Sequence, residues 1–220
     1  MRNDSDSASS GSDPNGVSRR SFIKTFGASA ALSSLAGAAD KRGAALAQAP
    51  DGPPILGPDP VPVSFTVNGK QTQLRVDPAT TLLQALRLDL NLTGSKEICD
   101  RGSCGGCSVL IDGRLMNSCM TLALDAAGSQ ITTIEGLAKD GALDPVQEAL
   151  VRHDALQCGY CTPGLVVACR ALLNENPKPT LPQIKHALGG NICRCGTYTN
   201  VFNAVLDASG QRPVMDQGGA

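Results

Sequence analysis

The chain has 220 residues, 19 basic and 20 acidic, for a formal net charge of −1. That balance leaves no large charge excess for nucleic acid, and four Phe, two Tyr and no Trp give little with which to stack bases. The length allows one or two domains with a sizeable core, and the unusual feature is nine Cys, all between Cys99 and Cys195.

The N-terminal region reads as an address. Ser18-Arg19-Arg20-Ser21-Phe22-Ile23-Lys24 has a twin-arginine export pattern. The stretch Thr25 to Ala39, built mainly from Ala, Ser, Gly and Leu, is too short and too mildly apolar for a membrane span of about 20 residues. Ala45-Leu46-Ala47 then offers an A-x-A cleavage site, so residues 1–47 are expected to be a signal peptide addressed to the periplasm through the twin-arginine translocase. The leader carries six of the 19 basic and four of the 20 acidic residues, which leaves the mature chain at −3. Residues 48–60 form a Pro-rich linker that cannot build regular helix.

Val63 to Val67 alternates, Asn68-Gly69 is a hairpin turn, and Gln71 to Val76 alternates back. Thr80-Thr81 precedes a helical run, Leu82 to Leu88. After a cysteine-rich loop come a strand at Ser108 to Ile111, a turn at Asp112-Gly113, a returning strand from Arg114 to Thr121 that passes Cys119, and a last strand at Ile131 to Glu135. Residues 61–138 are therefore expected to form a small α+β domain. From 139 the pattern turns helical: Pro145 to His153, then a helix with Thr162 as N-cap and Pro163 at N1, then Leu181 to Leu188 stopped by Gly189-Gly190, then Asn200 to Leu206. Four short helices predict a bundle over 139–220.

Eight cysteines fall into two sets of four. Cys99-x4-Cys104-x2-Cys107, followed by Cys119, has the plant-type 2Fe-2S ferredoxin spacing. Cys158-x2-Cys161 is answered by Cys193-x-Cys195, and each of these pairs sits at a helix end, where free N–H groups suit an anion. An oxidising compartment makes disulfides the default, but joining Cys193 to Cys195 would demand a strained ring. Zinc remains the rival ligand, although structural zinc sites favour C-x2-4-C pairs in both halves. The loop Arg101-Gly102-Ser103-Cys104-Gly105-Gly106-Cys107 supplies glycines that can turn backbone N–H groups toward sulfur. Such bonds favour the more negative, reduced state and raise the potential. A cluster is best assembled in the reducing cytoplasm, and a twin-arginine signal suits a passenger already loaded with its cofactor.

Three runs, Cys99 to Cys107, Gln157-Cys158-Gly159-Tyr160-Cys161-Thr162-Pro163-Gly164, and Gly190-Asn191-Ile192-Cys193-Arg194-Cys195-Gly196-Thr197-Tyr198, closely resemble the iron–sulfur subunits of the xanthine dehydrogenase/aldehyde oxidase class of molybdenum hydroxylases. With the leader, the likeness points to small subunits of bacterial periplasmic aldehyde oxidoreductases. The resemblance implies a β-grasp 2Fe-2S domain followed by an all-α four-helix-bundle 2Fe-2S domain. It implies Cys99, Cys104, Cys107 and Cys119 on a distal cluster and Cys158, Cys161, Cys193 and Cys195 on a proximal one, with Gln157 and Cys195 touching a pterin. It implies two partners in a heterotrimer, a large subunit with molybdenum-molybdopterin, often as the cytosine dinucleotide, and an FAD subunit. The chain would then relay, one at a time, electrons taken from an aldehyde and water at the partner's molybdenum, and hold no catalytic residue of its own. The same role in a xanthine or N-heterocycle hydroxylase is the alternative, ahead of a stand-alone ferredoxin or a zinc-binding interaction module.

The remaining sulfur and imidazole groups are read as structural. His153 and His186 lie in no metal motif and are expected on helix surfaces, Cys169 on an apolar helix stripe, and Met116 and Met120 as core filler beside Cys119.

Overall fold

The computed structural model describes residues 56–213. The leader, its cleavage site and most of the Pro-rich linker lie outside the described residues, as does the end of the chain from 214.

The first half is a five-stranded mixed sheet in the order β2-β1-β5-β3-β4. Strand β1 (Val61–Val67) and β2 (Lys70–Val76) form the expected hairpin. Asn68 and Gly69 both take positive φ, 51° and 80°, as a turn matched to strand twist requires. Val63, Phe65 and Val67 point into the core. Helix α1 (Leu82–Gln84) is started by a capping box in which Thr81 and Gln84 satisfy each other's backbone N–H, and it runs on as a π turn over Ala85–Asp89. Leu82, Leu83 and Leu86 bury its inner face. Strands β3 (Ser108–Ile111), β4 (Arg114–Asn117) and β5 (Gln130–Thr132) complete the sheet, with β5 parallel to β1 and antiparallel to β3.

Two strands end sooner than their sequence pattern suggests. Strand β4 stops at Asn117, because Ser118 turns both its N–H (3.3 Å) and its hydroxyl (2.7 Å) to the Cys107 carbonyl, and Ser118–Met120 coils as a 3-10 turn carrying Cys119. Strand β5 stops at Thr132, because the Asn68 amide takes over the next residue, accepting from Thr133 N at 2.9 Å and donating to Thr133 Oγ1 at 3.0 Å.

The second half holds α2 (Pro145–Arg152), α3 (Thr162–Glu175), α4 (Leu181–Ala187) and α5 (Tyr198–Ala208). The four share a core that includes Val146, Leu150, Leu165, Cys169, Ile184, Val201 and Val205. Helix α3 is apolar on a second side as well, where Val167 and Ala171 pack on Leu110 of β3. Sheet and helices are thereby joined through one helix buried on two faces. Asp144 and Thr180 cap α2 and α4 with capping boxes. Helix α3 is preceded instead by Cys161, with Thr162 as its first residue rather than its cap, and α5 starts at Tyr198, two residues before the expected Asn200.

Three side chains sit elsewhere than expected. Met116 and Met120 are 42% and 65% exposed, because β4 is an edge strand and the turn after it faces outward. His153 is not free on a surface: it is half-buried at the end of α2, its Nε2 3.0 Å from Asp207 Oδ2, while Arg152 pairs with the same carboxylate. Burial works against ionisation of Asp207, but bonds from His153 and Arg152 outweigh it and hold the carboxyl below its usual range. His186 is exposed and Cys169 fully buried, as expected.

Two four-thiol sites and the link between them

All nine thiols are free. The loop from 95 to 107 folds back on itself through Lys96 N donating to the Gly106 carbonyl at 3.0 Å. This brings Cys99 within hydrogen-bonding reach of Cys104, while the turn after β4 brings Cys119 against Cys107. Cys99 also bears electrostatically on Cys119, so the two pairs lie side by side. In the second half Cys158 meets Cys195 and Cys161 meets Cys193, with Cys193 bearing on Cys158. Among the described residues no three His, Cys, Asp or Glu side chains gather closely enough to share one metal ion. Two thiolates per iron is the pattern a binuclear cluster asks of its protein, and this paired donor set fits that group.

Charge is unevenly divided within the pairs. The Arg101 amide lowers Cys99 to about 7, whereas burial raises its partner Cys104. Burial pushes Cys119 up to about 11. The Tyr160 amide lowers the exposed Cys158; on Cys195 the amide of Cys158 pulls down, but the Cys158 sulfur prevails and raises it. Burial sends Cys161 up to about 12; Cys193 is buried too, yet the Thr197 hydroxyl and amide more than offset this and bring it to about 7. In three of the four pairs one thiol is shifted down and its neighbour up. A cation bridging such a pair would displace the protons its thiols hold. Cys169, buried in α3 and raised to about 12, belongs to neither group.

Donors already face the sulfurs. Gly102, at φ +70°, gives its N–H to Cys119 Sγ at 3.3 Å, and the Thr197 hydroxyl lies 3.4 Å from Cys193 Sγ. Tyr198 OH accepts from Cys193 N at 2.7 Å and donates to the Asn191 carbonyl at 3.3 Å, which closes the last turn of the second loop. Spacing singles out the cysteines and glycines; the roles of Thr197 and Tyr198 escape it, because they depend on how the loop from Asn191 to Tyr198 closes on itself.

The two loops touch. Ile192 N donates to the Cys104 carbonyl at 2.9 Å, so from Cys193 to Cys104 there is continuous backbone broken by a single hydrogen bond. Buried Asn191 donates its side-chain amide to the Gly105 carbonyl at 3.1 Å, and Ser108 Oγ donates to the same oxygen at 2.7 Å. Gly164, at the start of α3, has no side chain to hold the loops apart; a Cβ there would strike the Gly105 carbonyl. The outer edge is more open: Gln157 and Cys158 are exposed and Cys195 is half-buried.

Each half of the chain matches a known family. Residues 65–132 match the family of 2Fe-2S iron-sulfur cluster binding domains, and residues 133–206 match a second family, the 2Fe-2S binding domain. The aldehyde oxidoreductase iron-sulfur-binding subunit PaoA of Escherichia coli O157:H7 is 41% identical over 210 residues, covering 89% of each chain. This chain belongs to the iron–sulfur subunits of the xanthine dehydrogenase/aldehyde oxidase family. Members of this family serve molybdenum hydroxylases as electron-transfer 2Fe-2S subunits. In the aldehyde oxidoreductase of Megalodesulfovibrio gigas the similar stretch, 41% identical over 162 residues, is 18% of a longer polypeptide. In the crystal structure of quinoline 2-oxidoreductase from Pseudomonas putida 86 one chain superposes with a TM-score of 0.67 at 42% identity, covering 69% of this chain and 93% of that one.

Proposed function

We propose that this chain is the electron-transfer subunit of a periplasmic molybdenum-dependent aldehyde oxidoreductase, and that it holds two 2Fe-2S clusters. The observation that carries the reading is the two-by-two pairing of eight thiols in two adjoining loops. Cys99, Cys104, Cys107 and Cys119 are the ligands of one cluster in a β-grasp domain over 61–138. Cys158, Cys161, Cys193 and Cys195 are the ligands of the other in a four-helix bundle over 139–220. Residues 1–47 are the twin-arginine signal and 48–60 the linker.

Each cluster supplies one-electron redox chemistry when bound. The chain's own residues do the rest: thiolates anchor, Gly102 and Thr197 donate to sulfur, and Asn191 with Ile192 N–H holds one loop against the other. The open edge at Gln157, Cys158 and Cys195 faces a large subunit carrying molybdenum-molybdopterin, in its cytosine dinucleotide form, with Gln157 and Cys195 as its pterin contacts. A third, FAD-binding subunit takes the electrons from the sheet half. Support for an aldehyde as substrate is the likeness to an aldehyde oxidoreductase subunit over 89% of the chain. The likeness to quinoline 2-oxidoreductase favours an N-heterocycle as the second reading.

The test is to purify the complex anaerobically with its native partners. About four iron and four inorganic sulfide per copy of this chain are expected, with two rhombic electron-spin signals on reduction. Cys107→Ser should abolish one signal and spare the other; loss of both from a folded protein would overturn the partition, and iron-free protein the reading itself. Turnover of an aldehyde panel against purines and quinolines then chooses the substrate class.

A further inference from the structure

We infer that Asn117, which touches no thiol, is a positioning residue that sets the reduction potential of the cluster in the sheet half. The inference rests on the ligand reading above for Cys99, Cys104, Cys107 and Cys119. Gly102 presents its N–H to Cys119 Sγ at 3.3 Å, and it can do so only in the left-handed conformation, φ +70°, that glycine adopts without strain. Arg101 and Ser103, which flank Gly102, are exposed. What holds Gly102 is the side-chain amide of Asn117, donating to the Gly102 carbonyl at 3.1 Å.

The brace is closed at its other end. Asn117 is the last residue of β4, two positions before Cys119, and its own carbonyl accepts from Thr121 Oγ1 at 3.3 Å. The same short segment therefore carries the sulfur and the group that aims a donor at it. Met120 lies over Gly102 from outside: a Cβ on Gly102 would come within 2.9 Å of Met120 Cγ.

Reduction adds one electron and makes the cluster more negative, and a hydrogen bond to its sulfur stabilises that state more than the oxidised one. Releasing Gly102 lengthens or misdirects that bond, and the potential falls. The second site takes its corresponding donor from the Thr197 hydroxyl, whereas the described hydrogen bonds of Asn117 that involve a side chain run to Gly102 and Thr121, so the second site is an internal control.

The experiment is an electron-spin redox titration of the whole complex carrying Asn117→Leu, close in shape and uncharged but without the N–H donor, and Asn117→Ser, which keeps a shorter donor. The signal that Cys107→Ser abolishes should titrate at lower potential in Asn117→Leu and between that value and wild type in Asn117→Ser. Its coupling to exchangeable deuterons should weaken in the same order, and the other signal should not move. An unshifted midpoint with iron content intact overturns the role of Asn117, and so does an equal shift of both signals, which would mean general loosening. Failure of the two-cluster reading is recognised separately, by a wild-type complex that lacks two signals.

Discussion

Thr197 does for the helical site what the Gly102 amide does for the sheet site, from a hydroxyl 3.4 Å from Cys193 Sγ and buried with it. Thr197→Val keeps the shape and removes the donor, so the reduced state loses a stabilising bond. The corresponding electron-spin signal is expected to titrate at lower potential, with the other signal in place and iron content unchanged. Individual residues were legible in the sequence where chemistry demands a type and a spacing: the eight thiols and the glycines that turn between them. Thr197 and Asn117 were not, because an ordinary hydroxyl or amide acquires its meaning only from what folds against it. Met116 and Met120 were misread for a related reason. An apolar residue beside a ligand suggests core, and nothing local to the sequence says that β4 is an edge strand.

At the scale of elements, hydrophobic spacing located the five strands and the α-helices, while the 3-10 turns at Ser118–Met120 and Ile134–Gly136 fall where strands were expected to continue. Asn68 cuts β5 short from 65 positions away, and Ser118 ends β4 by turning to Cys107. The join between the two cysteine loops is the element-level feature with the clearest consequence. Asn191→Ala removes a buried hydrogen bond, costing about 1 kcal/mol, and leaves a cavity that adds to the loss. The Gly105 carbonyl keeps its bond from Ser108, so the fold survives. The Ile192 amide should then exchange with deuterium faster, as its bond to Cys104 loosens, and electron equilibration between the two sites should slow. Unchanged exchange at Ile192 would show that this bond stands without the Asn191 brace.

For the whole molecule, two successive grammars, alternating then helical, were plain in the sequence, but their union through α3 was not. A stripe pattern shows that a helix has an apolar face; it does not show that Val167 and Ala171 will find Leu110 on a strand some 60 positions earlier as given by numbering alone. Because the sheet and the helical core share that helix, Leu110→Ala should cost about 2–5 kcal/mol and lower the stability of both halves together. Global unfolding followed by visible absorbance and by far-ultraviolet dichroism tests this, since the two probes should shift in parallel. Metal contributes to the same balance, since thiolates bind it only in the folded loops. Stripping iron with a chelator should lower the melting temperature of wild type.

The absence of a side chain at Gly164 reaches further than its size suggests. One added methyl would wedge the neighbouring carbonyl outward and part the two sulfur-bearing loops, and with a cluster in each, as proposed, an electron would face a wider gap. Conduction through this protein is in that sense guarded by a hydrogen atom standing where any other amino acid would place carbon.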